Sequence, residues 1–172
     1  MPNTQAVGVA FSDPALTAGT TITGGTLDST TLVNSNVRSG FSVFQQGATI
    51  ATTSNSDVYV VCPVAGTLSA AWFSGVDALT ANDTNYITFS ITNLGTAGSG
   101  TTVMLAATDA NTTKATGGTG LSANARRVLT LNGTAGNLVV AAGDRLRIRA
   151  AVTNTLANTV TFPVYTLNFT VA

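Results

Sequence analysis

Histidine and glutamate are absent from this 172-residue chain, and lysine occurs once, at Lys114. Without imidazole there is no histidine base and no histidine ligand for zinc. Without glutamate, any catalytic carboxylate pair has to come from seven scattered aspartates. No Ser, Cys or Asp has a base partner visible in the sequence, so the chain reads as a non-enzyme without a cofactor or metal. Its one cysteine, Cys62, excludes an intrachain disulfide. Cys62 ends the apolar run Val58-Tyr-Val-Val-Cys62 and reads as a buried small hydrophobe, since nothing nearby would activate a thiol. No apolar run approaches the roughly 20 residues of a membrane span. Residues 1–15 lack the basic start and apolar stretch of a secretory signal. No membrane partner is expected, and four Asn-x-Ser/Thr sequons (Asn82, Asn111, Asn132, Asn168) are read as unused.

Charge is scarce as well. Charged residues make up 8% of the chain, about a third of the usual share. Seven basic and seven acidic side chains cancel to a net charge of zero, which argues against nucleic acid as a partner. So little charge gives a free monomer weak colloidal protection and suits a protein that lives in an assembly.

Threonine fills almost one position in five, and the apolar share is an ordinary 44%. Thr and Val favour strands, while the helix formers Glu and Lys are missing or nearly so. From Phe41 onward, short apolar-alternating runs are separated by turn signals. Strands are predicted at Phe41–Phe44 (with Ala48–Thr52 as a possible continuation), Asp57–Cys62, Thr67–Ser74, Asn85–Asn93, Thr101–Ala107, Arg126–Asn132, Asn137–Ala141, Arg145–Thr153 and Asn158–Ala172. Within the last, Val160, Phe162 and Val164 have one parity and Tyr165, Leu167, Phe169 and Val171 the other. The switch falls beside Pro163, so a bulge or bend is predicted at Pro163–Val164. Eight or so strands without a convincing helix imply an all-β antiparallel sandwich or jelly roll over residues 41–172.

The N-terminal part follows another rule. Ile22, Leu27, Leu32 and Val37 recur every five residues, each with a small residue two places earlier (Thr20, Gly25, Thr30, Ser35). Five matches neither the helical period of 3.6 nor the strand period of 2. It suits a narrow β-helix-like coil over residues 20–40, too short to bury a core alone, so these four residues are expected to form an assembly interface with other chains. Residues 1–19 read as an extended arm whose Val9, Phe11 and Leu16 dock on a partner.

Three further clusters stand out. Arg145, Arg147 and Arg149 alternate with Leu146, Ile148 and Ala150, which places three guanidinium groups on one sheet face, with Arg126 and Arg127 expected nearby. The stripe reads either as a solvated face partly neutralised by Asp144 or as a contact surface for an acidic protein. Asp77, Asn82, Asp83 and Asn85 share one loop; oxygen-rich loops can hold Ca²⁺, but this spacing matches no EF-hand and suits a plain turn better. Gly117-Gly-Thr-Gly120 lacks the strand–helix context and the following Lys-Ser/Thr of a phosphate loop.

The stretch Thr21-Ile-Thr-Gly-Gly-Thr-Leu-Asp-Ser-Thr30 resembles the "I-x-G-G-T-I-D-x-T/S" phrases of bacteriophage fibres, spikes and head-decoration proteins. Pro63-Val-Ala-Gly-Thr-Leu68 and Ala141-Ala-Gly-Asp-Arg-Leu-Arg-Ile148 resemble strand-turn-strand corners of phage jelly rolls. The resemblance implies a homotrimeric virion protein. The chain lacks the long shaft of a complete tail fibre, which favours a capsid decoration (cement) protein on the outer surface of the capsid, bound across subunits of the major capsid protein. The alternative is a short tail-fibre or receptor-binding protein that recognises host carbohydrate through the loops Gly75–Asn85 and Thr108–Asn124.

Overall fold

Alternation of apolar and polar residues sets nearly every strand. The computed structural model describes residues 40–171. The chain divides into two units, Met1–Val33 and Asn34–Ala172, and all described residues belong to the second. The proposed arm (Val9, Phe11, Leu16) and the five-residue beat (Ile22, Leu27, Leu32, Val37) lie outside the described residues.

The strands are β1 (Gly40–Gln46), β2 (Ser56–Val61), β3 (Gly66–Ser74), β4 (Tyr86–Asn93), β5 (Thr102–Val103), β6 (Arg127–Leu129), β7 (Val139–Val140), β8 (Arg145–Thr153) and β9 (Val164–Thr170). Two short 3-10 turns, Asp109–Asn111 and Ala135–Leu138, are the only helical elements among the described residues. All strand pairings among the described residues are antiparallel. One sheet runs β1-β9-β3-β6, with β7 also paired to β3; the other runs β2-β8-β4-β5. The pairing is nested. β1 meets β9, β2 meets β8, β3 meets β6 and β7, and β4 meets β5, like one long hairpin folded over. The domain is all-β, as the composition implied, and consistent with a β-sandwich.

One core joins the sheets. Leu68, Ala71 and Phe73 of β3 and Tyr165, Leu167 and Phe169 of β9 supply one side. Val58 and Val60 of β2, Ile87, Phe89 and Ile91 of β4, and Leu146 and Ile148 of β8 supply the other. Phe73 packs on Phe89 across the sheets with ring centroids 4.7 Å apart, and Phe41 stacks on Phe169 at 4.6 Å. Each large side chain so buried contributes about 1.5–3 kcal/mol relative to exposure.

The parity switch near Pro163 is real. Val160 is buried and bridges Ile50, the chain bends at Phe162 (φ 47°), and β9 starts at Val164 with Tyr165 facing inward. Phe162 therefore turns out to solvent, 64% exposed, rather than sharing the inward face with Val160. A second slip, between Leu68 and Ala70 of β3, was not foreseen. Three predicted strands are also shorter than expected. Thr101–Ala107 reduces to β5, Arg126–Asn132 to β6, and Asn137–Ala141 to a 3-10 turn plus β7.

The backbone around those short strands is held by side chains. Asn111, buried, donates from Nδ2 to the carbonyls of Ala106 and Thr130 (both 2.8 Å) and accepts from the Thr130 amide (2.7 Å). The Arg127 guanidinium donates to the carbonyls of Thr119, Ala110 (3.0 Å) and Thr112 (2.6 Å). Burial depresses its pKa from the ordinary arginine value.

Candidate interaction surface

Strand β8 builds the first face. Leu146, Ile148 and Ala150 point into the core, so Arg145, Arg147 and Arg149 share the outer face, as their spacing predicted. Across the ladder, Asp57, Tyr59 and Val61 of β2 stand opposite Arg149, Arg147 and Arg145 in turn. Arg149 donates to both carboxylate oxygens of Asp57, from Nε and Nη2, each at 2.6 Å. That bond, with help from the Arg147 charge, holds the Asp57 carboxyl below the usual carboxylate range against the opposing effect of burial. The Arg145 guanidinium lies over the Tyr59 ring, 4.4 Å from its centroid. Nε of Arg147 is shut off from solvent and has no hydrogen-bond partner among the described residues.

Two expectations about this stripe are corrected. Asp144 does not neutralise it: the residue is buried at the β7–β8 corner, where its Oδ2 accepts from the Ala141 amide and from Asn93 Nδ2, both at 2.8 Å. Gly143 makes that corner possible with φ 84°, and its amide donates to the Cys62 carbonyl (2.8 Å). Nor do Arg126 and Arg127 join the stripe. They sit at β6, in the other sheet. Arg126 lies over the Trp72 ring at 5.2 Å, while Arg127 braces the loops described above. Sequence adjacency to a basic run carries no information about which sheet a strand enters.

The outer face of the β1-β9-β3-β6 sheet has a different character. Phe44, Thr166, Trp72 and Val128 form a single row across four strands. Phe44 is 69% and Val128 59% exposed. The neighbouring outward positions are Ser42, Asn168 and Ala70 on one side and Gln46, Val164 and Ser74 on the other. The sequence reading missed this row because Phe44 and Trp72 look like core residues until the parity of Phe41, Val43, Ala71 and Phe73 is fixed.

A half-open groove of about 310 Å³ lies where β4 and β5 meet the Thr108–Lys114 segment. Its lining joins Tyr86, Thr88, Asp109 and Lys114 to Phe89, Val103 and Leu105 and is more apolar than polar. Lys114 pairs with Asp109 at 2.9 Å and lies 5.0 Å from the centroid of the Tyr86 ring. A ring edged by hydroxyls and a fixed ion pair can hold a polar, carbohydrate-sized molecule.

The acidic loop does not converge. Asp77 Oδ2 accepts from the amide (2.7 Å) and hydroxyl (2.6 Å) of Thr161, and Asp83 accepts from the amide (2.8 Å) and hydroxyl (2.9 Å) of Thr116. Those bonds lower both carboxyl pKa values. Asn82 Oδ1 accepts from the amides of Thr84 and Asn85 at 2.8 Å, an Asx turn. No group of three or more metal-ligating His, Cys, Asp or Glu side chains occurs among the described residues. In the Gly117–Gly120 segment the glycine serves close packing: a Cβ on Gly120 would lie 2.5 Å from the Leu79 carbonyl oxygen. Cys62 is fully buried, and burial, reinforced by the Asp144 charge, pushes its thiol up to about 11.

The described geometry thus offers binding chemistry: guanidinium groups and rings on two sheet faces, and a mainly apolar groove at one sheet margin. Compared with family models, with curated proteins and with solved structures, the chain matches none.

Proposed function

We propose that this chain is a structural virion protein, a homotrimeric capsid decoration (cement) protein of a bacteriophage that binds across subunits of the major capsid protein. The supporting observation is the nested strand order. With β6 and β7 counted as one interrupted strand, first pairs with last, second with seventh, third with sixth and fourth with fifth, an order that supports a jelly roll. Strand β1 begins at Gly40, three residues after Val37, the last residue of the five-residue beat. In this reading Ile22, Leu27, Leu32 and Val37 bury their side chains between copies, and Val9, Phe11 and Leu16 dock on the capsid. Burial at about 25 cal/mol per Å² of apolar surface, repeated over three linked copies, gives tight attachment from individually weak contacts.

The groove beside Tyr86 favours a second reading, a short tail-fibre or receptor-binding protein that takes host carbohydrate against the Tyr86 ring. Sedimentation of purified protein with expanded, undecorated capsids separates the two. Saturable capsid binding supports the decoration role. Binding to cells or glycans without capsid binding supports the receptor role.

A further inference from the structure

We propose that Arg145 and Arg147, flanked by Tyr59 and Val61, form a receptor for carboxylate side chains on the surface of an acidic protein partner. Three of the seven basic residues of the chain stand on the outer face of β8. Directly opposite them β2 supplies a single acid. Asp57 faces Arg149 and is occupied by it in both arms, whereas Tyr59 and Val61 occupy the positions where further acids would complete the ladder. Arg147 is left with a covered Nε donating to nothing among the described residues, and Arg145 rests on a ring rather than on a carboxylate. The outer nitrogens of Arg147, unlike Nε, are not covered and are where an incoming carboxylate would bind.

The described part of the chain has no acid to spare. Asp57 is held by Arg149, Asp77 by Thr161, Asp83 by Thr116, Asp109 by Lys114 and Asp144 by Asn93 and Ala141. Asp13 and Asp28 lie outside the described residues, and the proposal assigns the complementary charge to another protein. Two residues apart on one strand, Arg145 and Arg147 are separated by about 7 Å along the strand, a spacing that two neighbouring acidic side chains on a protein surface can match. Val61, 62% exposed, and Tyr59, 46% exposed, give that surface apolar contact beside the charges. A phosphate backbone would need a longer cationic track, and the net charge of zero supplies none. The inference needs an acidic protein partner and is independent of whether that partner is a capsid.

The test uses the full-length protein and a fluorescent oligoglutamate peptide, with binding read by anisotropy at low salt. Oligoglutamate should bind saturably and oligoglutamine should not. Arg147→Gln and Arg145→Gln should each weaken binding about tenfold or more, the scale of a lost charge-assisted hydrogen bond. Arg147→Lys, which keeps the charge but loses the planar fork, should fall between. The double variant Asp57→Asn with Arg149→Gln, which removes the pair together and frees no carboxylate, should leave binding within about twofold. The proposal is overturned if oligoglutamate does not bind, if the Arg145 and Arg147 variants bind as wild type does, or if inorganic phosphate or an oligonucleotide of equal charge competes more strongly than the peptide. Capsid sedimentation tests the decoration reading separately: failure of the wild-type protein to bind capsids would sink that reading and leave this receptor standing.

Discussion

Asp57 and Arg149 face each other across β2 and β8, and the carboxylate receives both Nε and Nη2 of the guanidinium at 2.6 Å. The pair is partly buried, with side-chain exposures of 26% and 34%. Its folded carboxyl pKa lies below the ordinary 3.8. The stabilisation is therefore complete above that unfolded value and is lost as pH falls through the lower folded value. Asp57→Asn should lower the unfolding free energy by about 1–2 kcal/mol near neutral pH. The gap to wild type should close in strong acid. Urea unfolding at both pH values checks this, and a gap that persists in acid would show that the pair acts through packing rather than charge.

Arg127 should matter more for stability than any arginine of the β8 stripe. It ties three carbonyls, of Ala110, Thr112 and Thr119, to β6, and lies over the Phe89 ring at 5.4 Å. Arg127→Ala removes all of these contacts and should cost about 2–4 kcal/mol. Hydrogen exchange should show amides around Thr112 and Thr119 losing protection first. Uniform loss across the domain would contradict the local bracing role.

Tyr165 carries a hydroxyl for which the core has no use. The side chain is 1% exposed, and its oxygen finds no partner among the described residues. Burial, with the Asp57 charge behind it, raises the phenol pKa well above its ordinary value. Tyr165→Phe keeps the packing against Phe73 (5.3 Å) and should be neutral or stabilising by about 1 kcal/mol. A thermal melt decides it; a loss of stability would show that the hydroxyl is satisfied after all.

The five-residue beat predicts a separation of folding from assembly. Leu27→Asp and Leu32→Asp should abolish trimers or their attachment while the head, residues 40–171, unfolds at an unchanged denaturant concentration. Light scattering coupled to gel filtration reads the oligomer, and circular dichroism reads the head. Unfolding of the head by either variant would show that these leucines belong to its core.

What the sequence disclosed follows from locality. Ile87, Phe89 and Ile91, or Leu146 and Ile148, alternate cleanly, and a period of two suffices to place them. The break at Pro163 was legible because proline cannot donate to a ladder. The slip between Leu68 and Ala70 was not, because Ser69-Ala70-Ala71 offers no residue that favours a bulge over a strand. The same limit applies to the candidate surface. The facing of Arg145, Arg147 and Arg149 was readable from one strand. That Asp57 rather than Asp144 serves the stripe, and that Arg126 lies over Trp72 in the other sheet, depends on pairings between segments some 50–90 residues apart. The exposed row Phe44, Thr166, Trp72 and Val128 comes from four separate segments and exists only once the sheet is ordered.

Cryo-electron microscopy of the intact particle is the most direct measurement of the decoration role. The account predicts trimers of this all-β head on the outer surface of the capsid, with residues 1–39 running between the head and neighbouring capsid subunits. Density for the head at the tail tip, with bare capsid junctions, would contradict it.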